Sequence, residues 1–251
     1  MQISIQSLRS ILLSLAEKVI RKDAGHQLVK GGKKYRIAIA DGSEMGGHFV
    51  SAVTYVGGRT YFIGFERNKK RGKELIGSRS VLKEITDRFG EGWCELIVED
   101  GLYMDKQDFV LAKEEYGCDL VVKTTEEGLE IIEDAKGLFF SPSAEEYGVK
   151  IVRGIDEARN IKYEIRAGDK FKWGDIKYPF AVAWVREEHL KPIKGRKEVE
   201  EYWVITTKEG LSAEEMREVG HSRWRIENNG FKQLNAAVRS KKVHSHSAHV
   251  F

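Results

Sequence analysis

The sequence predicts an α/β protein of the α+β kind: a mixed sheet with helices packed on it. Three observations carry this. Between residues 35 and 66, three β-rich runs follow one another with short connections, one of them Gly57-Gly58, which implies an antiparallel meander. From residue 94 to 123 the pattern becomes strand, helix, strand, and parallel strands need such crossovers. A β-rich stretch between 149 and 207 then precedes one last helix opening at Leu211-Ser212-Ala213-Glu214-Glu215.

Residues 5–22 read as an amphipathic packing helix, with Leu8, Leu12, Leu15 and Val19 at helical spacing. A Gly- and Lys-rich loop follows at 30–34. The first strand, from Tyr35, is expected to end on Asp41-Gly42. After the meander comes a basic loop (Lys69, Lys70, Arg71, Lys73), then a helix with Leu75, Val81, Leu82, Ile85 and Phe89 as its apolar stripe. The fourth strand runs from Cys94 to Asp100-Gly101. A helix capped by Asp105 leads to a fifth strand at 118–123. Three antiparallel strands and two helix-crossed ones in this order make an RNase H-like core. The expected organisation is an N-terminal helix and linker (1–33), the first part of the core (34–125), a β-rich insertion subdomain (126–210), a C-terminal core helix (211–240) and a polar, truncated tail (241–251).

A 251-residue chain suffices for one large domain or a domain with an insertion. Hydrophobic residues at 41% give it a core, and charged residues at 32% a charged surface. A net charge of only +3 means that any nucleic-acid contact must be local. Two cysteines, Cys94 and Cys118, each precede an apolar run. They read as buried thiols in a reducing compartment. No signal peptide and no membrane-length apolar run is visible, so a cytoplasmic protein is expected.

Three carboxylates stand out: Asp41 on the first strand, Asp100 on the fourth, and Glu227 on the last helix. In the predicted sheet the first and fourth strands are central neighbours and the last helix crosses them, which would gather all three. Converging carboxylates repel unless cations neutralise them. Hard oxygen donors suit Mg²⁺ or Mn²⁺, and two such ions roughly 3.5–4 Å apart drive phosphodiester chemistry. Taken singly, Asp41-Gly42 and Asp100-Gly101 are also ordinary turn dipeptides. A lone glutamate such as Glu227 is more often a solvated or salt-bridged helix residue, with Arg223 at helical spacing as a candidate partner.

The strand ending on Asp41, the strand with Asp100-Gly101-Leu102-Tyr103, and Arg223-Trp224-Arg225-Ile226-Glu227-Asn228 resemble the DDE transposases of bacterial insertion sequences. The closer similarity is to the cut-and-paste group of the insertion-sequence-4 type. The resemblance spans about residues 35–234, and its most specific part is the segment around Glu227. It implies Asp41, Asp100 and Glu227 as ligands of Mg²⁺ (or Mn²⁺), DNA strand cleavage by water, and attack of a 3′-hydroxyl on target DNA. It implies double-stranded transposon ends and target as partners, a homodimer on DNA, and a cytoplasmic, nucleoid-associated place. Arg223 matches the family arginine that contacts phosphates near the transposon end. The family's tyrosine and lysine positions fall on Gly220 and Leu234, with Lys232 close to the latter as a substitute.

Lys69, Lys70 and Arg71 are further candidates to track a DNA backbone, although such a run is more often a solvated loop. Trp173, Trp184 and Trp203 are candidates to stack on an unpaired base, with burial in the core as the more frequent use of such residues. His244, His246 and His249 read as spacer residues of the tail. Two other functions fit the same residues: a decayed DNA-binding remnant of a transposase, and an RNase H-like nuclease that cuts without joining.

Overall fold

The computed structural model describes residues 5–45, 48–56, 60–68, 70, 72–101, 105–191 and 197–223. Helix α1 (Ile5–Ile20) comes first, followed by a two-residue ladder in which His26–Gln27 pairs with Lys34–Tyr35. Strands β1 (Ile37–Met45), β2 (His48–Val56) and β3 (Thr60–Asn68) form the meander, antiparallel throughout. Helix α2 (Glu74–Phe89) crosses to β4 (Leu96–Asp100), and α3 (Lys106–Glu114) to β5 (Asp119–Thr124). Both crossovers give parallel pairing, β1 with β4 and β4 with β5. Then come α4 (Glu130–Phe139), β6 (Lys150–Asp156), β7 (Ile161–Phe171), β8 (Phe180–His189), β9 (Val199–Thr206) and α5 (Ala213–Ser222).

Among the described residues nine strands form one mixed sheet in the order β3-β2-β1-β4-β5-β9-β8-β7-β6. The α+β expectation holds. The strands of the 126–210 segment do not build a sheet of their own. They continue the core's sheet through antiparallel pairing of β9 with β5. That segment also carries a helix the sequence reading did not anticipate, α4, whose Ile131, Ile132, Ala135 and Phe139 are buried. One expectation is corrected at Asp41. The strand does not end there: the ladder runs from Asp41↔Ala52 to Met45↔His48, so Asp41-Gly42 is strand, not turn.

Helices cover both faces of the sheet. One face packs α1 through Leu13, Ala16 and Ile20, α2 through Val81, Leu82 and Ile85, α3 through Phe109 and α4 through Phe139. The other face packs α5 through Ala213, Met216 and Val219. Being covered on both sides explains why Leu96-Ile97-Val98 and Leu120-Val121-Val122 are continuous apolar runs rather than alternating ones. Gly64 on β3 lets α2 lie close, since a Cβ there would sit 2.6 Å from Val81 Cγ1. Ser212 opens α5 with a capping box: its hydroxyl accepts from Glu215 N–H and the Glu215 carboxylate accepts from Ser212 N–H.

Cys94 and Cys118 are buried free thiols, Sγ to Sγ 3.4 Å, as the sequence leads one to expect. Trp173 packs edge-on against Phe109 and Phe180, and Trp203 stacks on Phe139. All three candidate tryptophans, Trp184 included, are buried in the core shared by the whole sheet, which leaves none of them open to a base.

Candidate active site

The α5-covered face of the sheet carries apolar columns that end in charge. On β1 and β4 the register pairs Ile37 with Leu96 and Ile39 with Val98. Two residues further along each strand come Asp41 and Asp100. A strand turns every second side chain to the same face, so both aspartates extend the face that α5 covers. On the next strand Lys123 is the register partner of Asp100, two residues after buried Val121. Asp41, Asp100 and Lys123 therefore form a row across three adjacent strands.

Arg223, the residue that closes α5, reaches down onto this row. Its Nη1 lies 2.9 Å from Asp100 Oδ2 and 3.6 Å from Asp41 Oδ2. Asp41 is only 6% exposed and Asp100 is half-buried. Two carboxylates 59 residues apart in the chain thus converge on one positive charge. Carboxylate oxygens are the donors a hard divalent cation takes, so this pair fits Mg²⁺ or Mn²⁺. Among the described residues there is no cluster of three metal-ligating side chains. Glu227, the expected third ligand, lies outside the described residues, as do Lys232, Lys69 and Arg71. Lys70 is exposed in the turn between β3 and α2.

Several residues that sequence reasoning missed surround the row. Lys123 has its side-chain stem beneath Gly220, where a Cβ on the helix would lie 3.9 Å from its Cδ, and its ammonium sits 3.7 Å from the centre of the Tyr202 ring. Burial pulls this ammonium down to about 8, against the nearby carboxylates of Glu187 and Glu200, and the Arg223 charge adds to the lowering. Glu187, 2% exposed, accepts hydrogen bonds from Arg217 Nε at 2.6 Å and from His221 Nε2 at 2.8 Å. Burial pushes its carboxyl up, but His221 and Arg217 outweigh burial and hold it at about 2. Arg217 also meets Asp156 and Glu218, and Arg159 meets the same two acids. Glu99, next to Asp100 but turned to the opposite face, is 3% exposed, and among the described residues its Oε2 has no hydrogen-bond partner. Burial raises its carboxyl to about 8, with the Asp108 charge adding and Arg79 opposing.

No protein-family model matches this chain, and no curated protein is significantly similar to it. No helix among the described residues is long and apolar enough to cross a membrane.

Proposed function

We propose that the chain is the catalytic domain of a metal-dependent DDE transposase, RNase H-like in fold, which cleaves DNA strands at insertion-sequence ends and transfers them to target DNA. The observation that carries this reading is the meeting of Asp41 and Asp100 at one cation on neighbouring parallel strands. The order β3-β2-β1-β4-β5, with β1, β4 and β5 parallel, supports it as the RNase H-like arrangement. Glu227 follows Arg223 by four residues in the sequence and is the third ligand in this reading. Its partners are double-stranded transposon ends and target, it acts as a homodimer on DNA, and its place is the cytoplasm, on the nucleoid.

Asp41 and Asp100 would hold Mg²⁺ or Mn²⁺, which when bound supplies charge neutralisation and alignment for the attacking and leaving oxygens of phosphodiester transfer. Asp41, nearly enclosed and fixed by its strand, is a rigid donor. Arg223 has two tasks in this reading. Without the cation it is the counter-ion of both aspartates; with it, the guanidinium is released to take phosphate oxygens, for which its planar fork is suited.

Asp100→Asn should abolish Mn²⁺-dependent nicking and joining of supercoiled plasmid and weaken calorimetric Mn²⁺ binding, with the thermal melt retained. Full activity in that variant overturns the reading. Nicking without joined product from the unaltered chain assigns it to nucleases that only cut, and no Mn²⁺ binding assigns it to decayed remnants. Arg223→Gln removes the competing cation. Mn²⁺ binding should then tighten by about tenfold, or ~1.4 kcal/mol, while affinity for duplex DNA falls. Unchanged Mn²⁺ affinity would mean that Arg223 does not compete for the aspartates.

A further inference from the structure

Resting on that reading, we propose that Lys123 is a positioning residue of the same site, anchoring a non-bridging oxygen of the DNA phosphate that lies against Asp100. The row places it there: Lys123 pairs with Asp100 in register, and neighbouring strands lie about 4.8 Å apart. Its location is built rather than incidental. The stem passes within ordinary packing distance of α5 at Gly220, and the Tyr202 ring holds the ammonium from one side.

The local charge balance points to an anion. Among the described residues Lys123 makes an ion pair with no carboxylate; its ammonium lies against the Tyr202 ring. Glu187, whose charge acts on this ammonium through space, is already committed to Arg217 and His221. Asp100 is committed to Arg223. The site therefore holds two cations, Lys123 and Arg223, beside two aspartates, Asp41 and Asp100, both of which Arg223 meets. When both aspartates turn to a divalent ion, both cations are left short of negative charge, and a half-enclosed cation without a counter-charge is costly. A phosphodiester has two non-bridging oxygens that share one negative charge, so each cation finds an acceptor. The ammonium can serve as a point charge for one and the Arg223 fork for the other.

The test uses the full chain with Mn²⁺ and a duplex carrying a transposon-end sequence or, lacking one, supercoiled plasmid. Lys123→Met keeps the stem and removes the charge. It should leave the melting temperature and calorimetric Mn²⁺ affinity near those of the unaltered chain, lower kcat/KM for cleavage at least tenfold, and reduce the salt slope of DNA binding by about one counter-ion. Lys123→Arg should restore most of both. Equal kcat/KM and an equal salt slope in Lys123→Met overturn the inference. So does loss of folded, Mn²⁺-binding protein in both Lys123→Met and Lys123→Gln, because that result makes the residue structural. Absence of Mn²⁺-dependent cleavage in the unaltered chain is a different failure: it removes the transposase reading. The salt slope of Lys123→Met still decides whether this lysine meets phosphate.

Discussion

Glu187→Gln should cost about 3–5 kcal/mol of stability at neutral pH, the usual penalty for removing one member of a buried ion pair. For a chain of this size that lowers the melting temperature by about 10 °C. The reason lies in what the substitution leaves behind. Arg217 is 4% exposed, and its Nε meets Glu187 Oε1 at 2.6 Å. His221 meets the same oxygen at 2.8 Å. The amide can accept a hydrogen bond but carries no charge for either partner. The pH dependence gives a sharper test. The Glu187 carboxyl is held at about 2 in the folded protein, against an ordinary 4.5. A lowered folded value contributes stability that is present above 4.5 and is lost as the pH falls from 4.5 to 2. That loss amounts to about 3 kcal/mol. The unaltered protein should therefore show a steep acid limb across this window, and Glu187→Gln a shallower one. Parallel limbs in chemical melts of the two proteins between pH 2 and 5 would mean that the pair contributes nothing. The consequence reaches the candidate site, because Arg217 and His221 hold the last turns of α5 against β8, and Arg223 hangs from the end of that helix.

The central strands and both aspartates were legible because their signals are local. Leu96-Ile97-Val98 is a short apolar run that ends on Asp100, and Gly57-Gly58 separates two β-rich runs. Asp41 was correctly placed on the first strand, yet its Asp-Gly dipeptide suggested an end that the β2 ladder overrides; tertiary pairing decides where a strand stops. Helix α4 was missed although Ile131, Ile132, Ala135 and Phe139 recur at helical spacing, because its ten residues sit in a segment whose other apolar runs are strand-like. Lys123 was legible in principle. Counting by twos from Val121 puts it on the face of Val98 and Asp100 once β4 and β5 are taken as parallel neighbours. Glu187 was not legible at all. Its partners come from a helix 30 residues later, and nothing in Arg186-Glu187-Glu188 distinguishes the buried acid from its half-buried neighbours. The burial of the tryptophans followed the commoner pattern for large aromatics, since a ring of that size contributes most when wholly enclosed.

Glu99 should show the opposite pH behaviour to Glu187, and the contrast isolates what burial does to a carboxyl with no ion pair among the described residues. Its carboxyl sits at about 8 rather than 4.5, because burial, Asp108 and Asp41 all disfavour the charged form and only Arg79 opposes them. Here the folded protein holds the proton more tightly than the unfolded chain. Stability is therefore complete below 4.5, falls as the pH rises from 4.5 to 8, and stays low above 8. The full loss is up to about 5 kcal/mol. Glu99→Gln is neutral at every pH, so it should match the unaltered protein near pH 4 and melt about 10 °C higher at pH 8.5. The measurement belongs in a chelating buffer. A divalent ion on the adjacent Asp100 would stabilise the charged form of Glu99 and shrink the difference. Added Mn²⁺ should accordingly close part of the gap between the two melting curves at pH 8.5, and should not do so when Asp100 is also asparagine. Two melting curves that run parallel from pH 4 to 9 would show that Glu99 is charged and solvated. A gap indifferent to Mn²⁺ would place the cation, if one binds, away from Asp100.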